Sequence, residues 1–267
     1  VNRMNLSIIT VNYNNAPGLE KTIESVAKQS YSSFEFIIID GGSTDDSPEV
    51  VKNFSEYVDV YLSEKDNGVY HAMNKGILKA SGEFLLFLNS GDCLMNEEVL
   101  KTVMVPTPKA SVIYCNVMNN ITGEVLTYPE KLRFSFFYAA TINHQSSFIK
   151  RDLFLKYGLY NEKYRIVSDW CFFMECCFIR REPFEYKNIV CTVFDYTDGV
   201  STRKENYNLL LAEKEAVLNE LFPGFVEDYK EAESHKNFCT PKKMADNSYR
   251  QRLRAIKAKI RRMLNFY

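Results

Sequence analysis

The sequence lacks the features that mark membrane-spanning, disulfide-rich and zinc-binding proteins. No apolar run approaches the roughly 18 residues needed to cross a bilayer, and the 267 residues include 1 Trp and 3 His. The 7 Cys form no Cys-x-x-Cys pair and do not stand with the histidines at zinc-ligand spacing. Most lie in apolar segments, where a free thiol behaves as a small apolar group. We therefore expect free thiols and a reducing, cytoplasmic compartment.

An excess of charge of one sign is also lacking, except near the end of the chain. The net charge is -1, which argues against a general nucleic-acid binder. Residues 242–267 contain nine Lys and Arg against one acid. Within them, residues 248–267 place Leu and Ile at helical spacing between basic residues. This pattern predicts a basic amphipathic helix that contacts an anionic membrane. The alternative is a helix docked on the rest of the chain by its apolar stripe.

Short apolar segments alternate with helical patterns through the first hundred residues. Residues 6–11, 34–39, 58–62 and 84–88 are apolar or β-branched runs that predict strands. Helical spacing of apolar residues follows each of the first three, and each strand ends in a polar loop. The alternation predicts an α/β fold with a mostly parallel sheet flanked by helices. Ligands of such sheets bind beyond the carboxyl ends of the strands.

The second half of the chain is less regular. Apolar residues at helical spacing predict helices at residues 168–180 and 206–221. Pro223, followed by a glycine, breaks the second of them. We therefore divide the chain into a catalytic domain, residues 1–222, and a helical, basic C-terminal extension, residues 223–267.

Four motifs occur in order along the first third of the chain. They are residues 7–14 (SIITVNYN), 40–45 (DGGSTD), 66–76 (DNGVYHAMNKG) and 88–92 (LNSGD). In this order and at these spacings they resemble the successive signatures of family 2 glycosyltransferases with the GT-A fold, and the resemblance covers about residues 5–200. It implies a Rossmann-like sheet and inverting transfer of a sugar from a nucleotide-sugar, usually a UDP-sugar, to an acceptor hydroxyl.

The resemblance assigns the loops after the first strands to the nucleotide-sugar. Asp40 matches the base-binding Asp of the family, although a helix or turn cap is the alternative. Thr10, Asn12 and Tyr13 would lie against the base and ribose. Lys75 would face the diphosphate as a point charge, or would be a surface lysine without a role. The other predicted donor contacts are Asn67, Asn89 and Ser90.

One carboxylate stands where the family usually has an Asp-x-Asp or longer acidic run. Asp92 is the only acid of residues 89–92. A shell of Asp92, two phosphate oxygens and waters is feasible for Mn²⁺ or Mg²⁺. His144 would add a metal ligand or touch the phosphates, and the alternative is a hydrogen-bonded core histidine. His71 also departs from the family pattern, because many relatives carry Asp there.

Asp169 is the candidate catalytic base. It lies in the first turn of the predicted helix 168–180, after residues 143–148 and 158–162, as in the family. Inverting transfer needs one carboxylate to take the proton of the acceptor hydroxyl while a metal stabilises the leaving diphosphate. The alternative is an Asp that only favours the helix dipole. Residues 198–201 resemble a late loop that closes over the donor, with a plain turn as the alternative.

The resemblance implies an enzyme of cell-surface polysaccharide or lipid-linked glycan synthesis, acting at the inner face of the plasma membrane if residues 248–267 bind lipid. The acceptor would be a glycan or a lipid-linked glycan. A nucleotidyltransferase would carry a Gly-rich loop with a basic residue after the first strand, whereas residues 12–15 are Asn-Tyr-Asn-Asn. The remaining alternative is a catalytically inactive nucleotide-sugar-binding scaffold of the same fold, which the reduced acidic run favours.

Overall fold

The computed structural model describes residues 5–197 and 203–238. Within these ranges one mixed sheet contains nine strands. The strands are β1 (Leu6–Asn12), β2 (Phe34–Asp40), β3 (Val60–Ser63), β4 (Phe84–Phe87), β5 (Cys93–Leu94), β6 (Val112–Asn119), β7 (Val125–Leu126), β8 (Ser147–Lys150) and β9 (Phe184–Phe194). The α-helices are α1 (Ala16–Ala27), α2 (Ser47–Asn53), α3 (Val69–Lys79), α4 (Val99–Met104), α5 (Phe134–Ala139), α6 (Arg151–Tyr157), α7 (Ser168–Met174), α8 (Tyr207–Leu221) and α9 (Phe225–Phe238).

The strands follow the order β3-β2-β1-β4-β8-β6-β9-β5, and β7 pairs with β6. β1, β2, β3, β4, β6 and β9 run in one direction, and β5, β7 and β8 run in the other. The predicted mostly parallel sheet is therefore confirmed. The chain leaves β1 toward β2 and β3 and later returns on the other side of β1 as β4. The crevice beyond the ends of β1 and β4 is thus a topological switch point, where open α/β sheets bind ligands.

Successive side chains of the central strands point to opposite faces of the sheet. They pack into two hydrophobic cores, one on each face. On β1, Ile8 packs with apolar residues of α1 and α4, whereas Ile9 packs with those of α3, α6 and α7. On β2, Ile38 and Ile39 divide between the two faces in the same way. Strands buried on both faces are continuous apolar runs rather than alternating ones. This explains the unbroken apolar sequence of the predicted strands and the helices on both sides.

Close packing fixes α3 against the sheet. A Cβ atom added to Gly76 would lie 2.4 Å from Cγ2 of Ile9, so only glycine permits the observed separation of helix and strand. Val69 and Tyr70, at the start of α3, are thereby held beside the carboxyl ends of the strands. The glycine of the third motif thus has a packing role that places the first turn of its helix.

The structure differs from the sequence prediction where elements are short or change their hydrogen bonding. The predicted helix 168–180 is α7 followed by a π-helical turn over Glu175–Ile179. The apolar run of residues 189–194 predicts a strand, but β9 begins five residues earlier, at Phe184, and its first half is only partly buried. The elements β5, β7 and α5 were not predicted, because two to six residues are too few to show a period.

The C-terminal helices pack on the body of the chain. α8 ends at Leu221, and α9 starts after the Pro-Gly turn, with the ring centroid of Phe225 4.5 Å from that of Phe134. The predicted domain boundary between residues 222 and 223 falls in this turn and stays a prediction. Residues 198–201 and 248–267, for which we predicted a donor loop and a membrane helix, lie outside the described residues. No helix in the described part of the chain is long and apolar enough to span a membrane.

Candidate active site

The carboxyl ends of β1, β2 and β4 bring three of the four sequence motifs together. Asn12 ends β1, Asp40 ends β2, and Asn89 follows β4. The side chain of Asn12 donates to the Asp40 carboxylate over 2.9 Å. The amide oxygens of Asn12 and Asn89 are buried and accept no hydrogen bond within the described residues. Buried polar atoms in native proteins nearly always have a partner, so two unsatisfied acceptors at this edge indicate a ligand site.

Asp40 is fully buried and has all of its acceptor capacity in use. Oδ1 accepts from Asn12 and from the Ser43 hydroxyl (2.5 Å), and Oδ2 accepts from the Ser43 N–H (2.9 Å) and the Ser63 hydroxyl (2.7 Å). Burial alone would raise the pKa of this carboxyl, but these hydrogen bonds outweigh it, and the pKa lies below its usual value. Asp40 therefore organises the loops after β1, β2 and β3. A direct contact with a base stays a prediction.

The other predicted donor contacts have different local roles. Thr10 is fully buried and donates to the Leu88 carbonyl over 2.6 Å, whereas Tyr13 is 67% exposed at the mouth of the crevice. Lys75 pairs with Glu64, Nζ to Oε1 2.9 Å, and so holds the loop after β3. The backbone N–H of the exposed Asn67 donates to His71 Nδ1 over 2.9 Å. Contacts of these residues with a nucleotide-sugar stay predictions.

The loop after β4 buries the single carboxylate of the reduced acidic run. Asp92 is 2% exposed, and its Oδ1 accepts the backbone N–H of Asp195 over 2.9 Å. Burial raises the pKa of Asp92 to about 7, and the Asp195 N–H and the nearby His144 only partly offset it. Ser90, in the same loop, is tied to α1 because the Asn15 amide donates to its carbonyl over 3.2 Å.

The described residues contain no group of three or more His, Cys, Asp or Glu side chains placed to hold a metal ion. A cation beside Asp92 would lower the pKa that burial raises and so stabilise the ionised carboxylate. Both ring nitrogens of His144 already have polar neighbours. The residues thus fit an ion that arrives with a diphosphate and takes Asp92 as a ligand. They do not fit an ion held by side chains alone.

Asp169 lies at the start of α7 in a cluster with His144 and Tyr70. His144 Nδ1 is 2.9 Å from Oδ2, and the Tyr70 hydroxyl is 2.7 Å from Oδ1. Because an ionised carboxylate only accepts, Nδ1 carries the proton, and Nε2 faces the Asn89 amide nitrogen at 3.3 Å. Burial would raise the pKa of Asp169, but His144 and Tyr70 lower it below its usual value. The carboxylate is therefore ionised at neutral pH.

The hydrogen bonds of this cluster can also accommodate a protonated Asp169. The Tyr70 hydroxyl is 2.7 Å from the Ile166 carbonyl and 2.7 Å from Asp169, although it has a single proton to donate. If Asp169 becomes protonated, it can donate to the Tyr70 oxygen while Tyr70 donates to the carbonyl. Every polar atom then keeps a partner. Such an arrangement suits a carboxylate that takes up a proton during a reaction.

A cavity of about 300 Å³ opens beside this cluster. Its wall includes Asn89, His144 and Asp169 on one side and Lys214 of α8 on another. The structure thus brings the predicted base, the predicted histidine and the end of β4 to one cavity. Sequence reasoning missed Tyr70 and Lys214. Tyr70 stood within a motif without an assigned role, and nothing in the local sequence of α8 distinguishes Lys214 from a surface lysine.

Residues 7–186 match the family described as Glycosyl transferase family 2. The chain belongs to this family. It is 30% identical over 205 residues to the PGL/p-HBAD biosynthesis glycosyltransferase of Mycobacterium tuberculosis (strain ATCC 25177 / H37Ra), covering 73% of this chain and 78% of the relative. A glycosyltransferase of Haemophilus influenzae is 28% identical over 218 residues, 75% of this chain and 72% of the relative. Glycosyl transfer is therefore the activity of this chain.

Solved structures of glycosyltransferases confirm the predicted fold. TarS of S. aureus (residues 1–349), solved with UDP-GlcNAc, superimposes with a TM-score of 0.66 at 18% identity, over 81% of this chain and 67% of that one. A mannosyltransferase of Pyrobaculum calidifontis, in complex with GDP-Man and Mn²⁺, gives 0.57 at 17% identity, over 77% and 59%. The GT-A architecture with a mostly parallel sheet is thus shown for this glycosyltransferase.

The hydrogen bonds of Asp40 predict a pH-dependent loss of stability on substitution. Asp40→Asn should lower the free energy of unfolding of the glycosyltransferase by about 1–3 kcal/mol at neutral pH, because an amide cannot accept all four bonds. A carboxyl with a lowered folded pKa stabilises above its unfolded pKa of about 3.9 and loses this effect below it. Urea unfolding should therefore show the difference from wild type shrinking as the pH falls from about 7 to about 3.

The control for this comparison is Asp46→Asn, since Asp46 is exposed in the same loop and forms no side-chain cap. It should change the free energy of unfolding by less than about 0.5 kcal/mol. A difference between wild type and Asp40→Asn that stays constant over the whole pH range would contradict the assigned state of Asp40.

The Tyr70 hydroxyl predicts a shift in the pH profile of the enzyme. Tyr70→Phe removes a donor that lowers the pKa of Asp169. The acidic limb of the profile of kcat/KM against pH should then move to higher pH by about one unit, the value of one hydrogen bond. Tyr57→Phe, at an exposed tyrosine far along the chain from the cluster, should leave the profile unchanged. An unmoved limb in Tyr70→Phe would show that Asp169 does not set it.

Proposed function

We propose that this glycosyltransferase moves a sugar, with inversion, from a UDP-sugar to an acceptor hydroxyl. The observation that carries the proposal is the Asp169 carboxylate, 13% exposed, held by His144 and Tyr70 at a cavity that begins at Asn89. The carboxylate is ionised, has a fixed orientation and lies beside the switch point of the sheet. These are the properties of a general base that acts on a ligand bound at the strand ends.

In the proposed reaction the acceptor oxygen forms a bond to the anomeric carbon, and the bond from that carbon to the diphosphate oxygen breaks. The hydroxyl proton moves to Oδ1 of Asp169, and the nucleoside diphosphate leaves with the bonding electron pair. His144 keeps its hydrogen bond to Oδ2 and fixes the carboxylate. Tyr70 turns its proton to the Ile166 carbonyl and accepts the new proton of Asp169 in a hydrogen bond.

The donor is proposed to lie across the ends of β1 and β2, with Thr10, Asn12, Tyr13 and Asp40 beside base and ribose. The free amide oxygen of Asn12 supports this placement, since ribose hydroxyls and the uracil N–H are donors. Because Asp40 already accepts four bonds, a base N–H would have to replace one of them. The remaining proposed donor contacts are Asn67, Lys75, Asn89 and Ser90.

Asp92 is proposed to hold a divalent ion, Mn²⁺ or Mg²⁺, together with the diphosphate of the donor. When bound, the ion supplies Lewis-acid stabilisation of the leaving diphosphate. His144 remains a proposed contact of the ion or the phosphates. To take that role, Nε2 of His144 would have to give up its contact with the Asn89 amide nitrogen, 3.3 Å away, and contact the ion or a phosphate instead. The raised pKa of Asp92, about 7, supports a cation at this carboxylate.

Two likenesses support the choice of substrates. TarS was solved with UDP-GlcNAc and with UDP, which favours a UDP-sugar, whereas the mannosyltransferase carries GDP-Man and makes GDP the second candidate. We propose a glycan or a lipid-linked glycan as the acceptor. The mycobacterial relative is named a PGL/p-HBAD biosynthesis glycosyltransferase, which agrees with a role in a biosynthetic pathway. Free thiols at six described cysteines agree with a cytoplasmic location, at the membrane face if residues 248–267 bind lipid.

A thermal-shift panel of UDP, GDP, CMP and dTDP, each with and without Mn²⁺, tests the donor and the ion. A ligand at 100-fold over its dissociation constant adds about 2.7 kcal/mol of stability, which is readily measured. We expect UDP with Mn²⁺ to give the largest shift in wild type. Asp92→Asn should lose the part of the shift that depends on Mn²⁺, because a neutral amide attracts the ion less.

The matched control is Asp59→Asn, at an acid that hydrogen-bonds the Phe36 N–H before β3, away from the strand ends. It should retain the dependence on Mn²⁺ in full. A larger thermal shift with GDP than with UDP would indicate a GDP-sugar as the donor and contradict the proposed UDP-sugar. No shift with any nucleotide in wild type would contradict both the proposed donor and the nucleotide-sugar-binding scaffold. A shift that does not depend on Mn²⁺ would contradict the proposed ion at Asp92.

A further inference from the structure

The cavity beside Asp169 extends away from the strands that we assign to the nucleotide. Its wall runs from Asn89 and His144 past Asp169 to Arg165 and to Lys214 of α8. None of the loop residues after β1 or β2 lines it. Its volume of about 300 Å³ is at the lower end of the range for small-molecule sites. The end of the cavity at Arg165 and Lys214, away from Asn89 and His144, is therefore the end that we assign to the acceptor.

Lys214 places in this wall a positive charge that has no carboxylate partner among the described residues. Its Nζ lies 5.0 Å from the ring centroid of Trp170, and burial lowers the pKa of the amine. Within residues 5–197 and 203–238 no carboxylate lies within 4.0 Å of it. A partly buried cation without an anionic partner is costly unless a ligand supplies the charge.

The neighbouring acid on α8 does not neutralise Lys214. Glu213 is buried, and its two oxygens accept the backbone N–H groups of Arg165 (2.7 Å) and Ile166 (2.9 Å). These two bonds fix α8 to the segment that leads into α7. They also place the exposed Arg165 at the rim of the cavity, where its guanidinium forms no ion pair in the described part of the chain.

We propose that Lys214 and Arg165 bind an anionic group on the acceptor, a phosphate or a carboxylate attached to the acceptor sugar. The proposal rests on the function argued above, since it names the substrate class of the same site. Arg offers a planar fork to such oxygens, and Lys offers a point charge. Tyr196 also lines the cavity and would offer an aromatic ring to the acceptor sugar. A neutral acceptor would leave Lys214 partly buried and without an anionic partner in the described part of the chain.

The single tryptophan of the chain is Trp170, so its fluorescence reports directly on Lys214. We would titrate the protein with α-D-glucose 1-phosphate, D-glucuronate and D-glucose at matched ionic strength. We expect saturable changes with at least one anionic sugar, and half-saturation by glucose only at a concentration about 10-fold higher or more. Lys214→Met and Arg165→Gln should each weaken the anionic sugar about 10-fold, the value of a charged hydrogen bond. The two anionic probes distinguish phosphate from carboxylate.

Two controls keep the outcomes distinct. Lys214→Arg should retain most of the affinity for the anionic sugar. Lys109→Met should retain all of it, because Lys109 is exposed and precedes β6, at the amino ends of the parallel strands. Equal binding of glucose and the anionic sugars by wild type, or an affinity that Lys214→Met and Arg165→Gln leave unchanged, would overturn the proposal. So would the absence of any saturable change with the three sugars.

Binding of UDP is measured separately on the same variants by thermal shift. We expect Lys214→Met to bind UDP as wild type does, because the nucleotide lies beyond Asn89. Weaker UDP binding by this variant, with UDP displacing the sugar phosphate, would assign the cations to the donor and overturn the proposal. If wild type binds no nucleotide but binds the anionic sugar through Lys214, the proposed donor fails and the anion site stands.

Discussion

The burial of three carboxylates at one edge of the sheet is the constraint on which the site depends. Asp40, Asp92 and Asp169 are withdrawn from water, and a buried charge must be compensated by hydrogen bonds or by an opposite charge. Hydrogen bonds from serines and an asparagine compensate Asp40, and His144 with a tyrosine compensates Asp169. Asp92 alone keeps a raised pKa, about 7. The three acids thus differ: Asp40 organises the loops, Asp169 is the proposed base, and Asp92 is the proposed ligand of a cation.

The order of the strands determines how Asp40, Asp92 and Asp169 are arranged along the crevice. β1 and β4 are neighbours, so their polar ends, Asn12 and Asn89, form the centre of the crevice. In the proposed reaction, the donor side extends over β2, where the loops are tied to Asp40. The proposed acceptor side extends past Asp169 to α8, where Lys214 lies. Asp169 would then lie beside the acceptor hydroxyl that attacks the sugar.

The sequence predicted the parts of the molecule that repeat or that match a motif, and it missed those that depend on distant contacts. Buried strands such as β4 are continuous apolar runs, and Asp40, Asp92 and Asp169 stand in ordered motifs. No local pattern shows that Asp195, which follows β9, donates its N–H to Asp92. Nor does any pattern show that Glu213 ties α8 to the start of α7. Both contacts join segments far apart in sequence, so only the folded chain brings them together.

The central claim is that Asp169 takes the proton of the attacking hydroxyl. The most direct measurement is nucleotide release from a UDP-sugar, with water or sugar as acceptor, by Asp169→Asn, wild type and Asp152→Asn, an exposed control on α6. Loss of a general base should lower kcat by about 10²–10⁴-fold while the dissociation constant of UDP stays unchanged. Release by Asp169→Asn at the rate of wild type would contradict the claim.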